Sequence, residues 1–407
     1  MNEQLTPYQR RLFVFLSVAT FFEGYDFIAL AQILPNLRAD LHLSRTAGGL
    51  LVTVINLGTV FAYALVRYAD RIGRRRLLSL TIAGYTLFTF LSGVAPNVYV
   101  FAAFQLLARI FLIGEWIVSM VYAAEEFPAA RRGMVIGVIQ GCSSLGSIVC
   151  AGVAPLLLHT AYGWRSVYFV GVVPLVLLAV ARRGLRESER FAKLGAHLIR
   201  PGGMLALLRS PHGRRIVVVG MAWFFTYACT QVAITFWKEF ALADRHFTDA
   251  QVGLSISIAA LASMPMVFLA GRMLDVIGRR RGAVVIYVVG AAGIACSYTL
   301  HGFIPLTIAL VFGIFGSSAV LAVLNAFSTE LFPTQLRADA FSLANNLIGR
   351  VSYVIAPLAV AAAAQEVGWG PAVGGTSASL LVALGIIVTA LPETRARELE
   401  DTSRVGS

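Results

Sequence analysis

Long runs of apolar residues alternate with short polar connections along the whole chain. Each run is about 20 residues long, which is enough for a helix to cross the hydrocarbon core of a bilayer. Because lipid offers no hydrogen-bond partners, each run is predicted to be helical. The chain is therefore expected to be an all-α polytopic membrane protein. We count twelve transmembrane spans, at about 12–36, 47–69, 77–95, 98–124, 133–158, 164–181, 215–238, 250–274, 282–300, 304–329, 337–363 and 370–391.

Two polar motifs between the spans are repeated at one offset. Asp70-Arg71-Ile72-Gly73-Arg74-Arg75-Arg76 recurs 205 residues later as Asp275-Val276-Ile277-Gly278-Arg279-Arg280-Arg281. The same offset relates a second set of residues to its copy: Glu125, Phe127, Pro128 and Arg132 match Glu330, Phe332, Pro333 and Arg337. Two unrelated motifs with a common offset indicate an internal duplication.

The duplication predicts two pseudo-symmetric six-helix bundles. The first covers residues 1–181 and the second, with a cytoplasmic tail, covers 215–407. The segment 182–214 is the one long polar connection and is predicted to be a cytoplasmic linker.

The composition agrees with a membrane protein and gives it an orientation. Only 13% of the residues are charged and the mean hydropathy is +0.76, whereas soluble domains carry about 25% charged residues. Most of the 33 Lys and Arg lie in alternate loops and the termini. By the positive-inside rule those loops and both termini are cytoplasmic, in a cell inner (plasma) membrane. The net charge of +12 does not indicate nucleic acid, because no basic face is interleaved with aromatic residues.

The chain carries no motif typical of an enzyme. We find no HExxH sequence, no G-x-S-x-G sequence and no Cys/His metal-ligand spacing. We therefore expect a protein that is not an enzyme, has no cofactor and no metal, and acts as a monomer. Its partners would be a small solute, a proton and the lipid bilayer.

The repeated motifs are predicted to form a gate at the cytoplasmic ends of the spans. Gly73 permits a tight turn and the arginines suit the anionic headgroup layer. A basic turn that only sets topology is the alternative, which the repeat disfavours. The gate residues are Asp70, Arg71, Gly73, Arg74, Arg75, Glu125 and Arg132 in the first half, and Gly271, Asp275, Gly278, Arg279, Glu330 and Arg337 in the second.

These motifs resemble the signature of the major facilitator superfamily, G-x-x-x-D-R-x-G-R-R after spans 2 and 8. Leu391-Pro392-Glu393-Thr394 after the last span and Gly163-Trp164-Arg165 before span 6 are similar to its sugar-porter and organic-ion branches. Gly24-Tyr25-Asp26 looks like the aromatic-acid/proton symporters, and Gly114-Glu115-Trp116 like the metabolite/proton symporters. Val66 stands where the family has glycine, so we expect the first-half gate to be the weaker one.

The resemblance implies a secondary transporter that rocks its halves around a site near the middle of the membrane. We expect proton-coupled symport of a small organic anion, an aromatic acid or another carboxylate. An exporter or a proton-independent facilitator of another solute (a sugar, an amine or a drug) is the alternative within transporters. A transporter-like membrane sensor is the alternative from another class.

Charges within spans mark candidate coupling residues, because each one costs several kcal/mol unless it is used or paired. Asp26 lies three residues after Glu23 in span 1, and Arg109 and Glu115 lie in span 4. The resemblance implies that spans 1 and 4 are neighbours and that Asp26 pairs with Arg109. Burial favours the protonated carboxyl and a guanidinium favours the charged one, so opening and closing of the pair would load and release a proton. The alternatives are a static ion pair, or Glu23 or Glu115 as the carrier.

Arg350, in span 11, is the candidate for binding the substrate. A guanidinium binds carboxylate through two parallel hydrogen bonds, although packing against backbone carbonyls or Asp26 is an alternative. Trp237 and Lys238 are interpreted as interfacial residues at the end of span 7. Further polar and aromatic residues predicted to line the cavity are Tyr25, Asn56, Trp116, Gln140, Trp223, Tyr227, Gln231, Asn325, Asn345 and Asn346.

Overall fold

The computed structural model of the chain describes residues 5–67, 74–127, 129–170, 207–333 and 336–394. The first half contains α1 (Pro7–Asp40), α2 (Arg45–Arg67), α3 (Arg74–Gly93), α4 (Val98–Glu126), α5 (Ala129–Leu158) and α6 (Arg165–Phe169). The second half contains α7 (Gly213–Thr235), α8 (Trp237–Ala243), α9 (Asp249–Ile277), α10 (Arg279–Thr299) and α11 (Phe303–Glu330). It continues with α12 (Arg337–Ser342), a π-helix (Leu343–Gly349), α13 (Val351–Val367), α14 (Trp369–Gly374) and α15 (Ser377–Ala390).

Ten helical segments within the described residues are long and apolar enough to cross a membrane. The predicted third span is helical as α3 but is not among the ten, and the predicted sixth span runs beyond the described residues. Most of the predicted linker, 182–214, also lies outside them. The predicted all-α, polytopic character is confirmed for the part of the chain that the structure describes.

The helix starts repeat the offset seen in the motifs. α4 and α11, which carry Glu125 and Glu330, begin at Val98 and Phe303, 205 residues apart. The duplication therefore extends from the motifs to the helices that carry them.

Side-chain caps fix where two of the long helices begin. The Thr6 hydroxyl accepts a hydrogen bond from the backbone N–H of Gln9 at 3.2 Å, and the Gln9 side chain accepts one from the Thr6 N–H at 3.0 Å. Thr248 and Gln251 make the same reciprocal pair before α9, at 3.2 and 2.9 Å. Each pair satisfies two backbone donors that a helix start leaves free.

The chain forms two compact units, and in the first of them α1 packs directly on α5. A Cβ built on Gly24 would lie 1.9 Å from the Ser143 carbonyl oxygen, and one on Gly146 would lie 1.8 Å from that of Phe21. Ser147 Oγ donates a hydrogen bond to the Gly24 carbonyl at 2.8 Å. Glycine is thus required on both helices for their backbones to touch.

The second unit has its own glycine contact, between α10 and α11. A Cβ on Gly316 would lie 2.2 Å from the Gly290 Cα. Gly271, in the repeated gate motif, differs: a Cβ there would meet nothing within 4 Å in the described part of the chain. Close packing is therefore not what this motif glycine provides in the present state.

Residues 43–53, the first part of α2, also belong to the second unit. Arg45, Gly49 and Thr53 follow at four-residue spacing and share one helix face. Arg45 Nη1 donates to the Ala364 carbonyl at 2.6 Å, and Thr53 Oγ1 donates to another carbonyl of α13 at 2.8 Å. A Cβ on Gly49 would approach α13 to 2.3 Å. This face of α2 is thus docked on α13 over about two turns.

Candidate functional site

A buried arginine surrounded by aromatic rings lies within the second unit. Arg350 is 7% exposed, and its Nε and Nη1 have no hydrogen-bond partner among the described residues. Tyr227 interacts with Arg350 and hydrogen-bonds with Asn345, whose Nδ2 donates to the Tyr227 hydroxyl at 3.2 Å. The Tyr227 ring lies 5.0 Å from that of Trp223 and 4.8 Å from that of Tyr353. Guanidinium donors without hydrogen-bond partners and three rings form a buried cluster whose chemistry suits an anion with an apolar body.

A π-helix sets the position of Arg350. The Arg350 N–H donates to the Asn345 carbonyl at 3.0 Å, five residues back rather than four. Gly349 allows this segment to approach α7, since a Cβ there would lie 2.7 Å from the Trp223 Cβ. Gly220 on α7 also allows this close approach, because a Cβ added there would lie 2.8 Å from the Ile348 Cβ. Short π-segments occur frequently at functional sites.

The first unit contains buried acidic side chains within its spans. Asp26 Oδ2 accepts a hydrogen bond from Thr89 Oγ1 at 3.3 Å, and Asp26 Oδ1 is buried without a hydrogen-bond partner among the described residues. Arg109 is 6% exposed, and its Cζ lies 5.0 Å from the centre of the Phe27 ring. The charges of Asp26 and Arg109 are close enough to interact. Their direct pairing stays a prediction.

Two further carboxyl groups lie in the same bundle. Ser143 Oγ donates to Glu23 Oε2 at 2.9 Å, and Ser119 Oγ donates to Glu115 Oε1 at 2.5 Å. Glu115 is fully buried, and its Oε2 has no hydrogen-bond partner in the described part of the chain. The Glu23 charge interacts with both Asp26 and Glu115. Three acids therefore share one bundle interior with one arginine.

The remaining predicted lining residues fall into two groups. Trp116 Nε1 donates to Gln140 Oε1 at 3.0 Å, and Gln140 is exposed although it lies within a candidate span. An exposed amide at that depth suits a water-filled path better than lipid. Asn325 is likewise exposed, and Asn346 is half-buried.

The second group is buried in helix packing. Tyr25 is 2% exposed and donates to the Val167 carbonyl at 3.3 Å. Asn56 is 1% exposed and Gln231 8% exposed, the latter with Nε2 3.4 Å from Thr235 Oγ1. These side chains hold helices together in the present structure.

The second copy of the gate motif forms a connected network. Arg279 Nη2 lies 3.0 Å from Glu330 Oε1, and the backbone N–H groups of Arg279 and Arg280 donate to the two Glu393 oxygens at 2.8 and 3.0 Å. Thr394 Oγ1 donates to Glu330. Gly278 precedes this helix start with φ of +100°, a conformation that favours glycine. Three separate stretches of sequence thus meet at one end of the second unit.

Most of the first copy cannot be compared. Asp70, Arg71 and Gly73, and the side chains of Val66, Arg74, Glu125, Arg132, Asp275 and Arg337, lie outside what the structure describes. Arg75 is exposed. The relative strength of the two gates therefore stays a prediction.

The interfacial interpretation of Lys238 is wrong. Lys238 is 2% exposed and its Nζ lies 2.6 Å from Asp249 Oδ1, while Trp237 is also 2% exposed. The chain breaks at Phe236 and starts the short helix α8, which turns these side chains into the unit. Sequence periodicity over one long span does not reveal such a break.

Other functional features were also missed from the sequence. Nothing in the composition of span 11 indicates a π-helix, whereas Tyr353 could have been found because it lies three residues after Arg350. Thr89 was missed as a partner of Asp26, since a lone threonine in an apolar span carries no signal.

Comparisons with known proteins agree with this architecture. The family model of the Major Facilitator Superfamily matches residues 16–240 and 219–406. The chain is 25% identical over 362 residues to the sialic acid transporter NanX of Escherichia coli (strain K12), covering 88% of this chain and 87% of that one. It is 25% identical over 423 residues to a gallate transporter of Pseudomonas putida, covering 96% and 90%.

A solved structure shows the same fold. The crystal structure of a D-xylose-proton symporter superposes with a TM-score of 0.77 at 20% identity, covering 96% of this chain and 99% of that one. This likeness confirms the predicted fold class of twelve transmembrane helices in two six-helix bundles. The family match confirms a transporter rather than an enzyme. The chain belongs to the Major Facilitator Superfamily of multi-pass membrane transporters.

Proposed function

We propose that this transporter is a proton-coupled symporter of a small organic anion, and that Arg350 binds the carboxylate. The observation that carries the proposal is the burial of Arg350 with two guanidinium nitrogens lacking a hydrogen-bond partner among the described residues. A buried, unsatisfied charge is costly. A carboxylate would satisfy at least one of these nitrogens through a charge-assisted hydrogen bond.

The aromatic neighbours indicate what the rest of the anion is like. Trp223, Tyr227 and Tyr353 form a compact aromatic cluster beside Arg350, with centroid distances of 5.0 and 4.8 Å. Such a cluster suits a planar or apolar body attached to the carboxylate. The gallate and sialic acid transporters, both named for acids, support an organic anion.

The proton is proposed to be carried by Asp26. As a residue Asp26 is half-buried, whereas Glu115 is fully buried and Glu23 is 6% exposed, so Asp26 is the least buried of the three acids. Arg109 supplies the positive charge that favours the ionised form. The D-xylose-proton symporter supports proton coupling in this fold.

Other groups are proposed to line the path or to support its shape. Trp116 and Gln140 in the first unit, and Asn325 and Asn346 in the second, are the exposed or half-buried candidates, while Gln231 and Tyr25 lie buried within the helix packing. The basic loops and both termini are proposed to face the cytoplasm from an inner membrane, with the monomer as the working unit.

Transport by purified protein in proteoliposomes tests the proposal. A thermal-shift screen of aromatic acids, other carboxylates, sugars and amines first selects a ligand. We expect a carboxylate to raise the melting temperature and then to accumulate in vesicles when the pH is lower outside. A sugar or an amine that stabilises the protein while carboxylates do not would overturn the anion proposal. Binding without accumulation would indicate a sensor.

A further inference from the structure

A groove in the second unit lies where α10 begins, away from Arg350. It is a cavity of about 470 Å³ between the end of α9, the start of α10 and the end of α15. Its walls combine two chemical types. They include Ile277, Arg280, Arg281, Val284, Val388 and Glu393.

The groove carries two arginines against one acid, Glu393, whose oxygens are held by backbone donors. Both oxygens of Glu393 accept backbone N–H groups, from Arg279 at 2.8 Å and from Arg280 at 3.0 Å. The Arg279 guanidinium forms an ion pair with Glu330, with a nitrogen–oxygen distance of 3.0 Å. Within the described residues no ion pair involves the guanidinium of Arg280 or Arg281. Two cationic side chains therefore remain available at the mouth of the groove.

The wall below these arginines is apolar and faces outward. Ile277 is 37% exposed and Val284 is 41% exposed. The outward face of α10 continues as Val285 and Val288, which are 44% and 47% exposed. Exposed aliphatic side chains on a transmembrane helix lie against acyl chains. A cationic rim above an aliphatic wall, at the end of a span, matches the chemistry of an anionic phospholipid.

We propose that this groove binds one anionic phospholipid, with its phosphate on Arg280 and Arg281 and an acyl chain along Val284 and Val388. The apolar wall is what selects a lipid over a free anion, because a dissolved phosphate gains nothing from valine. The lipid would brace the turn at Gly278 against α15, next to the network of Arg279, Glu330 and Glu393. The site is independent of the substrate and of proton coupling.

Thermal unfolding of the full-length protein in detergent tests the site. Three additives are titrated at equal concentrations: a short-chain phosphatidylglycerol, a phosphatidylcholine with the same chains, and inorganic phosphate. We expect phosphatidylglycerol alone to raise the melting temperature in a saturable way. An equal rise with phosphatidylcholine would overturn the requirement for an anionic headgroup. An equal rise with inorganic phosphate would show a free-anion site and overturn the lipid proposal.

Three variants locate the effect. In the double variant Arg280→Gln, Arg281→Gln, the phosphatidylglycerol concentration at half-effect should rise about tenfold or more, since each basic group contributes to anionic-lipid binding. Val284→Trp keeps both arginines but fills the groove, and should lose the response. Arg214→Gln, an exposed arginine at the start of α7 outside the groove, should behave as wild type.

The outcomes remain separable if the double variant folds poorly. Arg281 is exposed, so the single variant Arg281→Gln should fold and still weaken the response. An unchanged response in both Arg281→Gln and Val284→Trp would overturn the proposal. A loss in Arg214→Gln as large as in Arg281→Gln would mean that surface charge alone is sensed, and would overturn it too.

Discussion

The two bundles share their helices and gate motifs but not their buried charges. At the offset of 205 residues, Asp26 of the first bundle corresponds to Gln231 of the second, and Arg350 of the second corresponds to Leu145 of the first. Arg109 and Glu115 correspond to Ile314 and Val320. Among the described residues, Glu23, Asp26 and Glu115 lie in the first bundle and the guanidinium of Arg350 lies in the second, although the second also buries Glu239 and Lys238. Under the proposed function, this division assigns the proton to the first bundle and the anion to the second.

The two bundles also differ at the helix–helix contact that lies next to these charged groups. In the first, α1 touches α5 through Gly24 and Gly146 in regular α-helix. In the second, the segment facing α7 is a π-helix that ends at Gly349, directly before Arg350. A π-helix rotates the following residues relative to a regular helix. This rotation explains why a charged side chain lies at the helix–helix contact of the second bundle. Serine and glycine form the corresponding contact in the first bundle.

The division predicts that loss of the Asp26 carboxylate has the largest effect. In Asp26→Asn the side chain keeps its size but cannot release a proton, so accumulation driven by a pH gradient should fall to background. A gradient of two pH units stores about 2.7 kcal/mol per proton, so the wild type would concentrate its substrate about 100-fold. Uptake into proteoliposomes with and without the gradient is the measurement. Equal gradient-driven accumulation in variant and wild type would contradict the assignment.

Replacement of Arg350 should weaken binding of the anion and leave proton coupling intact. Arg350→Ala removes charge-assisted hydrogen bonds, and we expect the half-saturating substrate concentration to rise about 10- to 100-fold. The half-saturating concentration of Arg350→Lys should lie between those of the wild type and Arg350→Ala, because an ammonium keeps the charge but loses the planar fork of the guanidinium. Initial uptake rates against substrate concentration measure this.

The control for that series is Arg214→Ala, which removes an exposed arginine from the same unit. Lys238 is unsuitable because its buried pair with Asp249 would be broken. If Arg350→Ala and Arg214→Ala lose equally little affinity, Arg350 does not bind the substrate.

The glycine-mediated contact between α1 and α5 in the first bundle can be tested by measuring protein stability. Gly146→Ala places a methyl group on the Phe21 carbonyl, and such overpacking costs about 1–3 kcal/mol or more. Gly141 lies on the same helix with nothing within 4 Å of its added Cβ among the described residues, so Gly141→Ala should be neutral or up to about 1 kcal/mol stabilising. Thermal unfolding of both variants gives the comparison. Equal melting temperatures would show that α1 and α5 do not touch here.

The sequence was sufficient for the fold because the fold depends on strong, repeated signals. Apolar runs of bilayer length and the motifs at Asp70 and Asp275 recur, and each copy reinforces the other. Breaks within spans gave no such signal: the start of α8 at Trp237 and the π-helix before Arg350 arise from tertiary packing against α9 and α7.

The candidate site was predicted in part for the same reason. Asp26, Arg109 and Arg350 were identifiable because a charge in a span is costly and rare. Tyr25 and Asn56 were chosen by type alone; both are buried in the structure, and their place in the path stays a prediction. Whether a polar side chain faces a path or a neighbouring helix depends on rotation of its span, which the pattern does not fix.

A smaller effect is expected at the ring that supports Arg350. Tyr227→Phe keeps the aromatic contacts with Trp223 and Tyr353 but removes the hydroxyl that Asn345 donates to at 3.2 Å. Loss of one neutral hydrogen bond costs about 0.5–1.5 kcal/mol, so substrate affinity should fall by about 2- to 10-fold. Thermal-shift titration with the selected carboxylate measures it. A loss as large as in Arg350→Ala would make the tyrosine, rather than the arginine, the main anion contact.

The smallest effect is expected at the second acid of the first bundle, Glu115. Its Oε1 accepts from Ser119 and its Oε2 is buried without a hydrogen-bond partner in the described part of the chain, an environment that an ionised carboxylate would not tolerate. An amide has the same shape as a protonated carboxyl group, so Glu115→Gln should keep gradient-driven accumulation near that of the wild type. The same proteoliposome assay reports it beside Asp26→Asn. If Glu115→Gln lost accumulation while Asp26→Asn stayed active, the proton carrier would be Glu115 rather than Asp26, and it would still lie in the first bundle.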